Sequence, residues 1–386
     1  MVVLSDFPSP DYTRAIFGVV PTILAECFKL EIEYPYEKYI IRQRGLRNKF
    51  KESDIAIVVI FDAIGSHNIR GRFRKLWLER GGRTLSSIFP TLTAPAIVSI
   101  YTGVPPELHG IPSMKIYIKE IGNYVDTIRG RVLNSSIPLR RAGVDLESFL
   151  WTKPVLSVAR GDVLFIDFLP YWLIKEGGLR DFYGKYLYPI GFDGHMDAIY
   201  TLKRLLEYLQ NVDTKALIFI YFGFSDSFGE DHGVEVDGWG NINDNAYEIS
   251  ACILQLMGKL RKKTSVFIIS DHGLVGLKEY VYISDEDIDK LKENGADLFA
   301  KCGRFASIFV KEDNHEQVKE CLADIFGGRA TIIDTDKCLR HFWPDVENVE
   351  GFIARLGKMI VLPDKNIGII RVGKSREEET IMDTFY

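Results

Sequence analysis

Two short motifs and one isolated carboxylate contain the side chains that could perform chemistry in this chain. Residues 89–95 read Phe-Pro-Thr-Leu-Thr-Ala-Pro, and Asp271 and His272 adjoin in a Ser-Asp-His-Gly sequence. Asp62 follows a run of apolar residues, and Thr93 is the second threonine of the first motif. Carboxylate oxygens and imidazole nitrogens are ligands of zinc, manganese and iron, and a bound metal makes a nearby alcohol a better nucleophile. These residue types therefore indicate metal-dependent hydrolysis of a phosphoester.

Each candidate carboxylate follows a run with the pattern of a buried strand. Residues 55–61 are apolar throughout, residues 216–221 precede Asp226 by a short loop, and residues 266–269 lead almost directly into Asp271. Such runs are typical of parallel strands that are buried on both faces. One Asp after a strand could simply cap a turn, but three are hard to explain in that way. Since ligands collect beyond the carboxyl ends of parallel strands, we expect these carboxylates to meet there.

The nucleophile candidate precedes a predicted helix over residues 94–101. Pro95 lies in its first turn, where a missing N–H is tolerated, and Gly103 lies just past its end. Thr93 is therefore the predicted N-cap. A helix N-terminus favours a phosphate, because its N–H groups are unpaired and its dipole is positive there. Threonine is also an ordinary capping residue, so this stretch alone leaves capping and catalysis as alternatives.

These motifs resemble those of a known family. Residues 89–95, continued by Thr-Gly-Val-Pro-Pro-Glu-Leu-His-Gly-Ile at 102–111, are similar to the nucleophile region of type I phosphodiesterases and nucleotide pyrophosphatases. That family belongs to the alkaline phosphatase superfamily. The strand before Asp62 and the Asp-His-Gly at 271–273 agree in order and rough spacing, and residues 303–310 resemble a strand of prokaryotic members. The resemblance implies an alkaline-phosphatase-like α/β fold, with a doubly wound, mostly parallel sheet flanked by helices and a small C-terminal antiparallel edge or cap.

The resemblance also implies roles for Thr93 and for the three candidate metal ligands. Thr93, rather than Thr91, would attack phosphorus and form a phosphothreonine intermediate. Asp62, Asp271 and His272 would hold one divalent metal together with the attacking oxygen. Zinc is the expected metal, with manganese or iron as alternatives. The substrate would be a small molecule with a phosphodiester or phosphomonoester bond.

A second metal of the family normally binds an Asp, a His four residues later and a distant C-terminal His. Asp226 matches the first ligand, but Glu230 stands four residues later and His232 follows two residues after it. We favour His232 as the ligand, because the glycine after it resembles the family pattern, and Glu230 remains the alternative.

The C-terminal ligand of the second metal is missing from the sequence. No His follows His341, and Lys374 stands near the expected place. The second metal would therefore be weakly held, or the Lys374 ammonium would replace its charge. The alternative function is that of a degenerate, non-catalytic relative that binds a phosphorylated ligand or a partner protein.

Composition is typical of a globular enzyme with one α/β domain over residues 1–386. Of these residues 46% are hydrophobic, and the net charge of −5 argues against a general nucleic-acid surface. No apolar run approaches the ~18 residues that span a bilayer. Five cysteines form no Cys-x-x-Cys pair and the N-terminus lacks a signal-peptide pattern, so a cytoplasmic location is expected. The sequence does not define an oligomeric state.

The remaining segments complete the predicted alternation of helices and strands. Amphipathic helices are predicted over residues 195–210 and 243–262, before the second and third carboxylate-bearing strands. Residues 160–192 are rich in aromatic side chains and are interpreted as an insertion, which would be either a lid beside the site or a packed subdomain surface. We favour the packed surface. The C-terminal region, residues 303–386, is expected to complete the domain with strands near 303–310, 358–362 and 367–372.

Overall fold

The computed structural model describes residues 4, 7–159, 161–235, 238–311 and 314–372. The described residues form fourteen strands: β1 (Ile55–Phe61), β2 (Lys115–Ile118), β3 (Asn123–Asp126), β4 (Arg131–Val132), β5 (Val163–Pro170), β6 (Tyr188–Phe192), β7 (Lys215–Phe222), β8 (Thr264–Ile269), β9 (Glu279–Ser284), β10 (Ala296–Cys302), β11 (Phe305–Val310), β12 (Ala330–Asp334), β13 (Met359–Pro363) and β14 (Ile367–Val372).

The same residues form thirteen α-helices: α1 (Val19–Thr22), α2 (Arg44–Arg47), α3 (Gly71–Glu79), α4 (Thr93–Thr102), α5 (Pro106–His109), α6 (Tyr171–Glu176), α7 (His195–Leu209), α8 (Phe224–His232), α9 (Gly238–Met257), α10 (Asp285–Glu293), α11 (His315–Phe326), α12 (Thr335–Phe342) and α13 (Val349–Leu356). None of these helices is both long and apolar enough to cross a bilayer. The five cysteines are free thiols.

A five-stranded parallel sheet forms the centre of the molecule, in the order β6-β5-β7-β1-β8. All seven residues of β1 are buried. Successive side chains of a strand point to opposite faces, so Val58 and Ile60 contribute to one hydrophobic core and Ile57 and Val59 to another. Burial on both faces explains why the run is apolar throughout, and it confirms the predicted doubly wound α/β fold.

Helices cover both faces of this sheet. Leu202 of α7 and Ile249 of α9 pack in one core, and Ile97 and Ile100 of α4 pack in the other. The two predicted amphipathic helices are thus observed as α7 and α9, although α9 begins and ends earlier in the chain than expected.

The predicted insertion over residues 160–192 is not separate from the domain, because the part of it that the structure describes contributes β5 and β6 to the central sheet. The sequence concealed β5, since Asp167 interrupts an otherwise apolar run. Asp167 is fully buried and accepts a hydrogen bond from the Tyr101 hydroxyl at 2.7 Å. A buried carboxylate with such a partner is compatible with a core strand. The residues between these two strands form α6 and two 3₁₀ turns of five and three residues.

The C-terminal strands form sheets of their own rather than an edge of the central sheet. An antiparallel sheet has the order β10-β11-β13-β12, and β14 pairs in parallel with β9. Together with α10 and α11 they enclose a third hydrophobic core. Of the predicted alternatives, a cap therefore describes this region and an edge does not. A smaller antiparallel sheet, β2-β3-β4, follows α5.

The buried strand β1 should contribute strongly to the stability of the fold. Ile57→Ala should lower the free energy of unfolding by about 2–5 kcal/mol, because it removes methyl groups from a fully buried site and leaves a cavity. Urea denaturation measures the change. The matched control Ile137→Ala removes the same atoms from a side chain that is 61% exposed, and it should change stability by less than about 0.5 kcal/mol. Equal losses in both variants would contradict this description of the core.

Candidate active site

The candidate site lies where neighbouring parallel strands end. Asp62 follows the last residue of β1, and its backbone N–H donates to the Phe222 carbonyl of β7 at 3.0 Å. Asp271 and His272 follow β8, which pairs with the other side of β1 through Ile60 and Ile269. The parallel register therefore brings residues that are far apart in sequence to one edge of the sheet.

Two carboxylates and an imidazole form a buried cluster at this edge. Ligand atoms of Asp62, Asp271 and His272 all lie within 4.8 Å of one another. The Nε2 atom of His272 lies 3.3 Å from Asp62 Oδ1 and 3.6 Å from Asp271 Oδ2. Neither of these buried oxygens has a hydrogen-bond partner among the described residues. Because unpartnered carboxylate oxygens are costly to bury, this donor set fits a divalent cation of the zinc, manganese or iron type.

Backbone groups orient the ligands. Asp271 Oδ1 accepts hydrogen bonds from the N–H groups of Ala63 at 3.1 Å and His272 at 2.9 Å, which leaves Oδ2 directed at the cluster. His272 Nδ1 lies 3.3 Å from the Gly273 carbonyl. This contact favours the tautomer with the proton on Nδ1, so that the Nε2 lone pair faces the cluster. Close packing favours glycine at position 273, since a Cβ there would lie 2.6 Å from the His67 ring and 2.9 Å from the Asn68 side-chain oxygen.

Tyr221 is a site residue that the sequence analysis missed. It lies on β7, and its hydroxyl donates a hydrogen bond to Asp62 Oδ2. A phenol within the apolar run of 216–221 was the available signal. Burial, followed by the charges of Asp271 and Asp226, raises the pKa of Asp62 well above its usual range, and the Tyr221 hydrogen bond opposes this shift. A cation would stabilise the ionised carboxylates in this cluster.

Thr93 lies beside the cluster. It is the first residue of α4 and Leu92 is the N-cap, so Thr93 stands one position inside the helix rather than capping it. Leu92 cannot cap through its side chain, and the first turn has no side-chain cap. Thr93 Oγ1 lies 3.1 Å from His272 Nε2 and the residue is 8% exposed, whereas Thr91 is exposed. The structure thus places one hydroxyl at both the cluster and a helix N-terminus.

Helix α8 carries the three residues considered for a second metal. Asp226 and Glu230 both line the same cavity as Thr93, whereas His232 is exposed and its ring packs 4.7 Å from that of Phe228. Residues four apart share a helix face and residues six apart do not, so His232 points away. The preference for His232 assumed an irregular loop here. In the observed helix, Glu230 is the residue beside Asp226.

Burial and neighbouring carboxylates disfavour the ionised forms of Asp226 and Glu230 on α8. Burial, together with the nearby charge of Asp271, raises the pKa of Asp226 to about 6. Burial and the nearby Asp226 raise the pKa of Glu230 to about 8, against the charge of Lys301 on β10. Lys374, which the sequence analysis considered for this location, lies outside the described residues. The cationic side chain that acts on Glu230 thus comes from the C-terminal antiparallel sheet.

The site opens into a cavity of about 570 Å³. Asp62, Thr93, Tyr221, Asp226 and Glu230 line one end. The rest of the lining includes residues of α4, of β5 and of the segment that contains α6, and the polar residues Asp193, His195 and Asn245. A volume of this size is typical of small-molecule sites.

Known proteins resemble this chain in sequence and in fold. A model of the type I phosphodiesterase / nucleotide pyrophosphatase family matches residues 56–337. The solved structure of murine ectonucleotide pyrophosphatase / phosphodiesterase 5 is similar at a TM-score of 0.61, with 16% identity over 83% of this chain and 81% of that chain. The solved structure of human ectonucleotide pyrophosphatase / phosphodiesterase 5 is similar at a TM-score of 0.60, with 14% identity over 82% of this chain and 80% of that chain.

A third solved structure contains a bound nucleotide. It is an inactive threonine-to-alanine variant of the murine protein in complex with AMP, similar at a TM-score of 0.61 with 15% identity over 82% of this chain and 80% of that chain. At such identities the structural likeness shows the fold alone. No curated protein sequence matches the chain significantly. The family match spans the Asp62, Thr93 and Asp271–His272 motifs, and it shows that this chain belongs to the type I phosphodiesterase / nucleotide pyrophosphatase family.

Proposed function

We propose that this chain hydrolyses phosphodiester or phosphomonoester bonds, with Thr93 as the nucleophile and a divalent cation held by Asp62, Asp271 and His272. One observation carries the proposal. The hydroxyl of Thr93 lies 3.1 Å from a ligand atom of a buried cluster that contains two unpartnered carboxylate oxygens. Loss of activity in a threonine-to-alanine variant of a similar protein supports a threonine nucleophile.

The proposed reaction has two steps. The Thr93 hydroxyl loses its proton as its oxygen attacks phosphorus, so that an O–P bond to threonine forms while the bond from phosphorus to the leaving oxygen breaks, and that oxygen takes up a proton and departs as an alcohol. Water then cleaves that bond and restores the hydroxyl. The N-terminus of α4 presents N–H groups and a positive dipole end to the phosphate, which stabilises its developing charge. A bound cation would lower the pKa of the attacking hydroxyl and offset the charge of the phosphate.

Zinc binding should stabilise the protein through the buried cluster. At a free concentration of about 100 times Kd, a cation that binds only the folded state adds about 2.7 kcal/mol to the free energy of unfolding. Asp271→Asn should abolish this gain. The metal-free variant should be at least as stable as metal-free wild type, because the substitution removes one of two adjacent buried charges. Chemical denaturation with and without zinc measures both effects.

An exposed carboxylate provides the control for this experiment. Asp213→Asn should retain the full stabilisation by zinc, since Asp213 is exposed and lies before β7, at the opposite end of the sheet from the cluster. Undiminished stabilisation in Asp271→Asn would show that the metal binds elsewhere.

Thr93 substitutions test the nucleophile. Thr93→Ala should lower turnover of a chromogenic phosphodiester by several orders of magnitude, whereas Thr93→Ser should retain part of it because a primary alcohol can also attack. Thr91→Ala is the matched control and should have little effect, since Thr91 is exposed. Similar losses at both positions would contradict the assignment of Thr93 as the nucleophile. No turnover by wild type with any of zinc, manganese or iron would instead favour a non-catalytic phosphate-binding relative.

Asp226 and Glu230 are the proposed ligands of a second, labile cation. Two protein ligands are fewer than the three usual at catalytic zinc sites, so this cation should bind weakly. Titration of metal against turnover should therefore show a second, weaker phase of activation. Glu230→Gln should remove that phase and His232→Gln should leave it intact. The opposite pattern would restore His232 as the ligand, and saturation at one equivalent would exclude a functional second cation.

A further inference from the structure

The two edges of the central sheet differ in composition. β6 forms one edge and contains Pro189 and Gly191, which weaken pairing with a further strand. β8 forms the other edge, and its sequence Thr-Ser-Val-Phe-Ile-Ile contains neither proline nor glycine. An apolar edge strand without such residues can pair with a strand of another chain.

Alternate backbone groups of β8 point away from the sheet. The Ile55 N–H donates to the Lys263 carbonyl at 3.1 Å, so that carbonyl faces β1. Since successive residues of a strand direct their N–H and C=O groups to opposite edges, those of Thr264, Val266 and Ile268 point outward. The described part of the chain provides no hydrogen-bond partner on this outer edge. The edge therefore offers both donors and acceptors to an added strand.

A groove of about 650 Å³ follows β8 along its length. Residues 264–273 all line the groove, and each residue of β8 is partly exposed. The walls carry side chains from the two hydrophobic cores that flank the sheet, with Val19, Ile41 and Phe50 on one side and Phe73 and Trp77 on the other. Side chains of an added strand point alternately to the two faces of the sheet, so they would contact hydrocarbon on both sides.

The groove is basic. Lys49, Arg80 and Arg83 line it and are exposed. Lys49 Nζ donates to the Arg80 carbonyl at 3.3 Å and Arg83 Nη1 to the Gly82 carbonyl at 2.9 Å, and these contacts leave the positive charges unneutralised. Among the described residues that line the groove, the only carboxylate is that of Asp271, which is buried. The groove therefore favours an acidic peptide over a basic one.

A second copy of this chain is a poor match for the groove. Its β8 lies between the same two walls, so the two edge strands could pair only if the walls of both copies moved apart. Pairing of two grooves would also bring their basic side chains together, and like charges across an interface oppose association. A separate extended peptide avoids both problems.

We propose that the groove along β8 binds an extended acidic peptide of a partner protein, which adds to the five-stranded sheet as a sixth strand. The peptide backbone would pair with the outer edge of β8, its apolar side chains would contact the two walls, and its carboxylates would contact the three basic side chains. The groove is separate from the cavity that Thr93 lines, so this binding does not depend on the proposed hydrolysis.

Fluorescence polarisation with labelled peptides tests the proposal on the full chain. The acidic probe has a Val-Tyr-Val-Tyr-Val core with two glutamates on each side, and the matched control has lysines in place of the glutamates. The acidic probe should bind tighter by about 10-fold or more at low salt, since several exposed ion pairs each contribute a little. Added salt should reduce this difference. Equal affinities, tighter binding of the lysine peptide, or no binding of the acidic probe at millimolar concentration would overturn the proposal.

Hydrogen–deuterium exchange locates the bound peptide. The acidic probe at saturation should slow amide exchange in residues 264–270 by about 10-fold or more, because pairing occupies the outward N–H groups of β8. Residues 188–192 at the opposite edge of the sheet are the matched control, and their exchange should not change. Binding without slower exchange in residues 264–270 would refute strand addition.

Charge reversals assign the binding to the groove. Lys49→Glu and Arg83→Glu should each weaken binding of the acidic probe several-fold and strengthen binding of the lysine peptide. Lys203→Glu is the matched control, because Lys203 is exposed on α7 and does not line the groove. Its affinity for both peptides should match that of wild type. Equal losses in all three variants would indicate general electrostatic attraction and overturn the proposal.

Two other occupants of the groove give different results. Residues 377–386 are acidic and then largely apolar, and they lie outside the described residues. If they fill the groove, the double variant Ile381→Asp and Phe385→Asp should bind the acidic probe several-fold tighter than wild type does. If a second copy fills it, sedimentation should show a dimer that the acidic probe dissociates. Either result would overturn the assignment to a partner protein, whereas unchanged affinity and a monomer would support it.

Discussion

Two buried carboxylates lie close together at the ends of β1 and β8, and the groups around them offset both their burial and their mutual repulsion. Two unit charges at the separation of Asp62 and Asp271 repel by roughly 3–4 kcal/mol at an effective dielectric constant of about 20. The Tyr221 hydroxyl and two backbone N–H groups satisfy one oxygen of each carboxylate and leave the other two oxygens facing His272. The fold thus concentrates negative charge where a cation can offset it.

The parts of the fold that the sequence predicted are those in which local pattern and tertiary role agree. Residues 55–61 read as a strand because they are buried on both faces, and the ends of parallel strands had to bring Asp62 and Asp271 together. The strand β5 was missed because Asp167 breaks its pattern, although a distant hydroxyl satisfies that carboxylate. Pairing across the core cannot be read from a local run, and neither could the contact of Tyr221 with Asp62.

The second metal position shows a different limit of sequence reasoning. Motif spacing alone left Glu230 and His232 as alternatives, because a loop could have directed either residue inward. The observed helix α8 resolves their directions, since Glu230 shares a face with Asp226 and His232 packs on Phe228. Lys301 reaches this location from a sheet whose position no motif in the chain indicates. Helical phase and domain packing, rather than residue type, thus determine which charges surround the second position.

Thr93 and Tyr101 lie on one face of α4, so this helix forms a wall of the cavity along its length. The proposed nucleophile lies at one end of this face, and Tyr101 at the other end is hydrogen-bonded to Asp167 and stacked on Tyr183. Ile97 stands midway between them. A bulkier side chain at position 97 would shorten the part of the cavity that runs along α4 without moving Thr93. Single substitutions on α4 would therefore change the size of the group that fits in the cavity while Thr93 stays in place.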